Sequence, residues 1–137
     1  MENEIPGPGR IPKQTDLVVL CRALNQEDAR YVVIGGFAII HHGFIRATED
    51  VDLLIDADPD NQARVKKALE VLPQKAILEL GADDFRKYTV VRVSDEVLVD
   101  VMTAACGIDY KEASRFIEVA HVQGVPTPFA TPQLLCA

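Results

Sequence analysis

The stretch Tyr31-Val-Val-Ile-Gly-Gly-Phe-Ala-Ile-Ile-His-His-Gly43 decides how this sequence is expected to fold. Its first four residues form a short apolar run typical of a buried strand, which the two glycines then interrupt. A short helix is predicted to begin near Phe37 and to end at Gly43, because glycine tolerates the left-handed conformation that closes many helices. The stretch therefore predicts a strand, a Gly-Gly turn and a helix in direct succession.

A second strand is predicted at residues 51–55, and two acidic residues lie at its start. Side chains alternate between the two faces of a strand, so Asp50 and Asp52 share one face while the apolar residues at 51, 53 and 55 point into the core. The two carboxylates are therefore expected to converge. The spacing alone carries little weight, because a sequence with this many aspartates contains about one Asp-x-Asp triplet by chance.

The run Asp56-Ala-Asp58-Pro-Asp60 is a second acidic cluster. It resembles the start of a calcium-binding loop, but Asn61 stands where such a loop needs glycine and Lys67 where it needs a bidentate glutamate. We interpret the run as a solvent-exposed turn that caps a helix over residues 61–72.

A third carboxylate, Asp100, lies in a later predicted strand. Residues 88–102 predict a β-hairpin that turns at residues 94–96, and Asp100 interrupts an otherwise apolar face of its second strand. A lone carboxylate among apolar residues needs a partner, because burying an unpaired charge is costly. A metal ion shared with Asp50 and Asp52 would supply that partner.

Together these elements predict an α/β fold, a mixed β-sheet flanked by helices with the acidic side chains on one rim. Further helices are predicted over residues 16–25, with Thr15-Asp16 as the N-cap, and over residues 111–116. Residues 117–130 are expected to be extended around Gly124.

The domain organisation follows from the same elements. We expect a flexible arm at residues 1–13, which are rich in proline and glycine, and a single domain over residues 14–137. Thr131-Pro132 is typical of the start of a further helix, which the sequence cuts short.

Composition excludes several classes of protein. A chain of 137 residues that is 48% hydrophobic can bury a core, and its formal net charge of −7 disfavours a broad nucleic-acid platform. Its longest apolar run is far shorter than the roughly 20 residues that cross a bilayer, and its acidic start does not fit a secretion signal. We therefore expect a cytoplasmic protein without a membrane partner.

The Gly-Gly turn, the Asp-x-Asp pair and the separate third acid together resemble the DNA-polymerase-beta type of nucleotidyltransferase. The residues from Tyr31 to Gly43, followed by Arg46-Ala-Thr-Glu-Asp-Val-Asp-Leu-Leu-Ile55, are similar to the small bacterial nucleotidyltransferases, including toxin–antitoxin members of the AbiEii type. The resemblance covers about residues 16–135, is strongest over residues 31–55 and weakens after Asp100.

The resemblance implies a Mg²⁺-dependent transfer of a nucleoside monophosphate from an NTP such as ATP to a hydroxyl, with release of pyrophosphate. It implies that Asp50 and Asp52 bind two Mg²⁺ ions, with Mn²⁺ as a substitute. Asp100 would bind one of these ions and help to deprotonate the acceptor, which in this family is a tRNA, a protein or a small molecule. Carboxylate oxygens are ligands that Mg²⁺ prefers.

The same resemblance implies nucleotide-binding roles for Gly35, Gly36 and Arg46. Gly36 would let the backbone approach the triphosphate, the start of the following helix would offer free N–H groups, and Arg46 would contact a phosphate. Each residue also has a structural interpretation: the glycines as a tight turn, and Arg46 as an ion-pair partner of Glu49 or Asp50.

Other polar residues near this stretch are interpreted structurally. Thr48 is expected to cap a turn, and His41 and His42 to pack or lie at the surface, because neighbouring helical residues point about 100° apart. Arg86 and Lys87 are typical of charges that protect a strand edge.

An alternative function stays open on the sequence alone. The chain is then a catalytically inactive nucleotide-binding or protein-interaction module of a toxin–antitoxin system. In either case the expected macromolecular partner is a second copy of the chain or a cognate antitoxin or toxin.

Overall fold

The computed structural model describes residues 10–43, 48–81, 84–87 and 89–131, without the side chains of residues 86 and 87. The helices are α1 (Gln14–Gln26), α2 (Gly35–His41), α3 (Pro59–Leu69), α4 (Asp84–Lys87) and α5 (Tyr110–Ala113), with 3₁₀ turns at Ala76–Glu79 and Ser114–Phe116. The strands are β1 (Tyr31–Ile34), β2 (Asp50–Ile55), β3 (Val90–Ser94), β4 (Leu98–Met102), β5 (Ala104–Ala105), β6 (Ile108–Asp109), β7 (Ile117–Val122) and β8 (Val125–Ala130). Within these residues, no helix is long and apolar enough to cross a membrane.

Six strands form one mixed sheet in the order β3-β4-β2-β1-β8-β7. Strand β2 pairs antiparallel with β1 and parallel with β4, and β1 pairs parallel with β8. The hairpins β3–β4 and β7–β8 form the two sides of the sheet. The predicted α/β fold is confirmed, and the first hairpin lies directly beside the strand that carries the Asp-x-Asp pair.

The main core lies between one face of this sheet and helices α1 and α3. Its fully buried side chains include Leu17, Leu20, Leu24, Val33, Val51, Leu53, Ile55, Val65 and Leu69. A smaller cluster of Val32, Leu54, Ala113 and Ala130 covers the other face near α5. Strand β2 is therefore buried on both faces along most of its length, and it becomes partly exposed only at Asp50 and Asp52.

Helix α1 begins before the predicted cap at Thr15-Asp16, because Lys13 is the N-cap residue. Asp16, in the first turn, accepts a hydrogen bond from the backbone N–H of Lys13 at 2.6 Å. The guanidinium of Arg10 donates to both carboxylate oxygens of Asp16, at 2.7 and 2.6 Å, and to Glu96 at 2.6 Å. Asp16 therefore accepts these hydrogen bonds from within the first turn of α1. Arg10 joins the segment before α1 to the turn between β3 and β4.

The acidic run caps α3, as predicted, but the helix begins at Pro59, inside the run, and ends at Leu69 instead of residue 72. Asp58 is the N-cap residue, and its carboxylate accepts a hydrogen bond from the backbone N–H of Asp60 at 3.1 Å. Asn61 is fully buried: its amide donates to the carbonyls of Arg30 and Asp56 and accepts from the N–H of Arg30. Asn61, which stands where a calcium-binding loop needs glycine, therefore joins the start of β1 to the end of β2.

Asp95 holds the turn between β3 and β4 in place. It is only 4% exposed, and its carboxylate accepts backbone hydrogen bonds from Gln74 at 2.9 Å, Ala76 at 2.8 Å and Glu96 at 2.7 Å. The turn is thereby joined to the loop that follows α3. Because β4 continues from this turn, Asp95 helps to set the position of the strand that carries Asp100.

Replacing Asp95 by alanine is expected to lower the free energy of unfolding by about 3 kcal/mol, because three backbone N–H groups lose their hydrogen-bond acceptor in a buried place. Urea denaturation followed by circular dichroism measures the loss. The control is Asp109→Ala, which removes an exposed cap that accepts one hydrogen bond from Glu112 and should cost about 1 kcal/mol. Equal losses in the two variants would show that the buried acceptor has no special role.

Candidate active site

Asp52 and Asp100 face each other on adjacent parallel strands. The register of β2 with β4 places Asp52 opposite Asp100, and Asp50 lies two residues earlier on the same face of β2. One carboxylate oxygen from each residue lies within 4.8 Å of the other two. The three acids predicted to act together thus form one cluster, called the acidic triad below.

The acidic triad is partly removed from solvent. Asp100 is 9% exposed, and Asp50 and Asp52 are half-buried. Burial, followed by the neighbouring charge of Asp50, raises the pKa of Asp52 to about 7. Burial also raises the pKa of Asp50, and the charge of Asp100 adds to this effect. Without a bound metal ion, the acidic triad therefore resists full ionisation.

Arg92 is the residue of this site that the sequence did not point to. It lies opposite Asp100 in the β3–β4 hairpin, and its guanidinium grips that carboxylate with two hydrogen bonds, at 2.8 and 2.9 Å. A third hydrogen bond, at 3.2 Å, reaches Asp50. The lone carboxylate therefore has an arginine partner in this structure. The signal in the sequence was a charged residue between the buried Val91 and Val93, on the face that Asp100 shares.

Gly35 is required by both its backbone and its surroundings. Its φ is +69°, and a Cβ built on it would meet the Asp52 side chain, with Cγ at 2.9 Å and Cβ at 3.0 Å. The side chain of Asp52 therefore packs directly on the first residue of α2. The Gly-Gly turn and strand β2 can therefore pack together here only because residue 35 has no side chain.

Gly36 is explained by the packing of Thr48. A Cβ built on Gly36 would lie 2.6 Å from the Cβ of Thr48, whose hydroxyl donates to the carbonyl of Asp50 at 2.9 Å. Thr48 thus makes a local hydrogen bond, and its expected role as the cap of a turn stays a prediction. The space left by the missing Cβ is filled by Thr48, and a phosphate contact through the backbone of Gly36 stays a prediction.

The structure places the two histidines in packed positions. His41 stacks on Phe129 with 4.1 Å between ring centres and donates to Glu118 at 3.1 Å. His42 donates to the carbonyl of Ala130 at 2.8 Å. Both residues therefore fix the end of α2 against the β7–β8 hairpin.

The side chains of three further candidates lie outside the part of the chain that the structure describes. Arg46 lies outside the described residues, so its phosphate role stays a prediction. The side chains of Arg86 and Lys87 lie outside them too. Glu49, the residue considered as a partner of Arg46, is exposed.

The acidic triad fits a hard divalent cation such as Mg²⁺. All three donors are carboxylate oxygens, and Mg²⁺ binds such ligands together with water and substrate phosphates. Arg92 offsets one of three negative charges, so the cluster retains a net negative charge when its acids are ionised.

A family model described as the AbiEii nucleotidyltransferase toxin of type IV toxin–antitoxin systems matches residues 18–128. The chain belongs to this AbiEii family. The match contains the Gly-Gly turn, all three acids of the triad and Arg92. The protein is therefore a nucleotidyltransferase, and the resemblance drawn from its sequence is confirmed.

A solved structure supports the fold assignment of this AbiEii-family protein. A protein of Thermotoga maritima assigned as a nucleotidyltransferase aligns with a TM-score of 0.56 at 14% sequence identity. The alignment covers 91% of this chain and 82% of that chain. At this identity the likeness concerns the fold. No curated protein matches the chain.

Replacing Gly35 by alanine is expected to destabilise the protein and to displace Asp52, because the new Cβ collides with that side chain. The control is Gly124→Ala, which also changes a glycine at positive φ (+83°) but meets nothing within 4 Å. The control should cost only the backbone strain of about 1–2 kcal/mol. Urea denaturation should therefore find a larger loss for Gly35→Ala, and equal losses would contradict the contact.

Ionisation of Asp52 is expected to cost stability as the pH rises. Its pKa is about 7 in the folded protein, whereas an unfolded chain releases the proton near pH 4, so the folded state holds more protons between these values. Without divalent ions, Asp52→Asn should raise the melting temperature by about a few degrees at pH 8 and change it little at pH 4. An equal gain at both pH values would contradict the raised pKa.

Asp56→Asn is the matched control for this pH dependence. Burial opposes ionisation of Asp56, but the hydrogen bond and charge of Arg30, together with the hydrogen bond from the backbone N–H of Asp58, outweigh it and the pKa is lowered. This substitution should therefore lower the melting temperature at pH 8, which is the opposite sign. Differential scanning calorimetry of both variants across this pH range checks the pair.

Proposed function

We propose that the protein transfers a nucleoside monophosphate from an NTP to a hydroxyl, with release of pyrophosphate, and that the acidic triad binds the Mg²⁺ this reaction needs. The observation that carries the proposal is the convergence of Asp50, Asp52 and Asp100 within 4.8 Å in a chain of the AbiEii family. Two Mg²⁺ ions are proposed, with Mn²⁺ as a substitute.

The three carboxylates have different tasks in this proposal. When bound, the metal ions lower the pKa of the attacking hydroxyl and stabilise the departing pyrophosphate. Asp50 and Asp52 would hold both ions, which suits their shared face on β2. Asp100 would hold one of them and help to deprotonate the acceptor hydroxyl. The acceptor oxygen bonds to the α-phosphorus as the bond from that phosphorus to the bridging oxygen of pyrophosphate breaks.

The nucleotide is proposed to lie at the start of α2. Backbone N–H groups of Gly35 and Gly36 bind triphosphate oxygens, and Arg46 adds a phosphate contact. The contact of Gly35 with Asp52 supports this arrangement, because it joins the proposed phosphate site to the acidic triad. Phosphates that approach α2 there also approach the carboxylates that bind the metal.

Family membership suggests the partner. A member of a type IV toxin–antitoxin family is expected to work with a cognate antitoxin, and a second copy of the chain is the alternative partner. The acceptor is a hydroxyl on a tRNA, a protein or a small molecule. The formal charge of −7 favours an acceptor that does not need a large basic surface.

Thermal unfolding with each NTP and Mg²⁺ tests this function. One NTP at about 100 times its Kd should stabilise the wild type by about 2.7 kcal/mol, a shift of several degrees, and only when metal is present. The double variant Asp50→Asn, Asp52→Asn should lose this shift. The same NTP, labelled at its α-phosphate, should then release unlabelled pyrophosphate and transfer its label.

The matched control is Asp56→Asn, Asp58→Asn, which removes another Asp-x-Asp pair at the far end of β2. It should retain the ligand-induced shift, even though its own melting temperature falls with the loss of the ion pair between Arg30 and Asp56. A shift that survives in the Asp50/Asp52 variant would contradict the proposed site. Binding without turnover would favour the inactive nucleotide-binding module instead.

A further inference from the structure

Arg92 occupies the part of the acidic triad where a metal ion would bind Asp100. Both carboxylate oxygens of Asp100 accept hydrogen bonds from its guanidinium, one from Nε and one from Nη2. The same Nη2 also donates to Asp50. A bidentate arginine–carboxylate pair is among the strong charge-assisted contacts in proteins. A cation that binds Asp100 must share these oxygens with the guanidinium or replace it.

The position of Arg92 allows it to leave. Strand β3 is at the edge of the sheet. The side chain of Arg92 is 52% exposed, whereas the side chain of Asp100 alone is 13% exposed. The guanidinium can therefore move into water without opening the core. Asp100, by contrast, is fixed in β4 between two neighbouring strands.

We propose that Arg92 is an intramolecular competitor of the divalent cation: it pairs with Asp100 and Asp50 when the metal is absent and is displaced when the metal binds. This inference rests on the proposed metal role of the acidic triad. Its physical basis is that two cations compete for the same oxygens and repel each other at close range. The native protein therefore binds free divalent cations more weakly than its three carboxylates alone would.

A purely positioning role makes the opposite prediction. If Arg92 only holds Asp100 in a shape that suits the metal, its loss disorders the ligand set and weakens metal binding. If it competes, its loss tightens metal binding. The sign of one measured change separates the two roles, without any need for turnover.

The experiment is titration of Mn²⁺ at pH 8, with free Mn²⁺ measured by electron paramagnetic resonance. Arg92→Gln is expected to lower the Mn²⁺ dissociation constant about tenfold, since each 1.4 kcal/mol of lost competition is a factor of ten. Arg92→Lys keeps the charge but loses the bidentate hydrogen bonds, so its gain in Mn²⁺ affinity should be smaller. Arg30→Gln, which breaks the 2.7 Å ion pair with Asp56 at the other end of β2, should leave the Mn²⁺ dissociation constant unchanged.

Two further measurements tie the result to the acidic triad. The gain of Arg92→Gln must disappear when Asp50→Asn and Asp52→Asn are added. In EDTA, Arg92→Gln should melt at a lower temperature than the wild type, because three acids lose their cation, and saturating Mn²⁺ should remove that difference.

The outcomes separate this inference from the function on which it rests. If the wild type binds Mn²⁺ through the triad and Arg92→Gln binds it equally or more weakly, the competitor role is wrong and the metal site stands. If neither protein binds Mn²⁺ through the triad, both the metal site and the competitor role are wrong.

Discussion

The parallel pairing of β2 with β4 is the constraint on which the rest of the site depends. It places Asp52 directly opposite Asp100, and a shift by one residue would turn one of these side chains to the other face of the sheet. The register is set by the core, because the apolar residues that alternate with the acids are fully buried between the sheet and helices α1 and α3. Asp95 adds to this constraint by fixing the turn from which β4 begins.

Bringing three carboxylates together is unfavourable unless a cation or a proton offsets their charge. The protein has both means: burial raises the pKa of Asp52, and Arg92 donates to Asp100 and Asp50. A fold that accepts this cost brings together carboxylate oxygens of the kind that bind metal ions. The charge arrangement thus connects the stability of the fold to the chemistry expected of an AbiEii-family nucleotidyltransferase.

Most of the fold and the three acids were predictable from local patterns. Strand alternation places Asp50 and Asp52 on one face, and the apolar hairpin places Asp100 in a neighbouring strand. Arg92 was missed because finding it requires the register of the hairpin. A turn centred at residue 95 would set Arg92 opposite Leu98, whereas the observed pairing sets it opposite Asp100. Packing reasons, such as Thr48 against Gly36, likewise depend on contacts between segments that no local pattern contains.

The most direct test of the central claim is a crystal structure grown with Mn²⁺ and a non-hydrolysable NTP, with data collected at the manganese absorption edge. We expect an anomalous peak within about 2.0–2.3 Å of oxygens from Asp50, Asp52 and Asp100, the range typical of hard cations with carboxylate ligands, and the guanidinium of Arg92 turned away from Asp100. Manganese bound elsewhere, with Arg92 still paired to Asp100, would contradict the account.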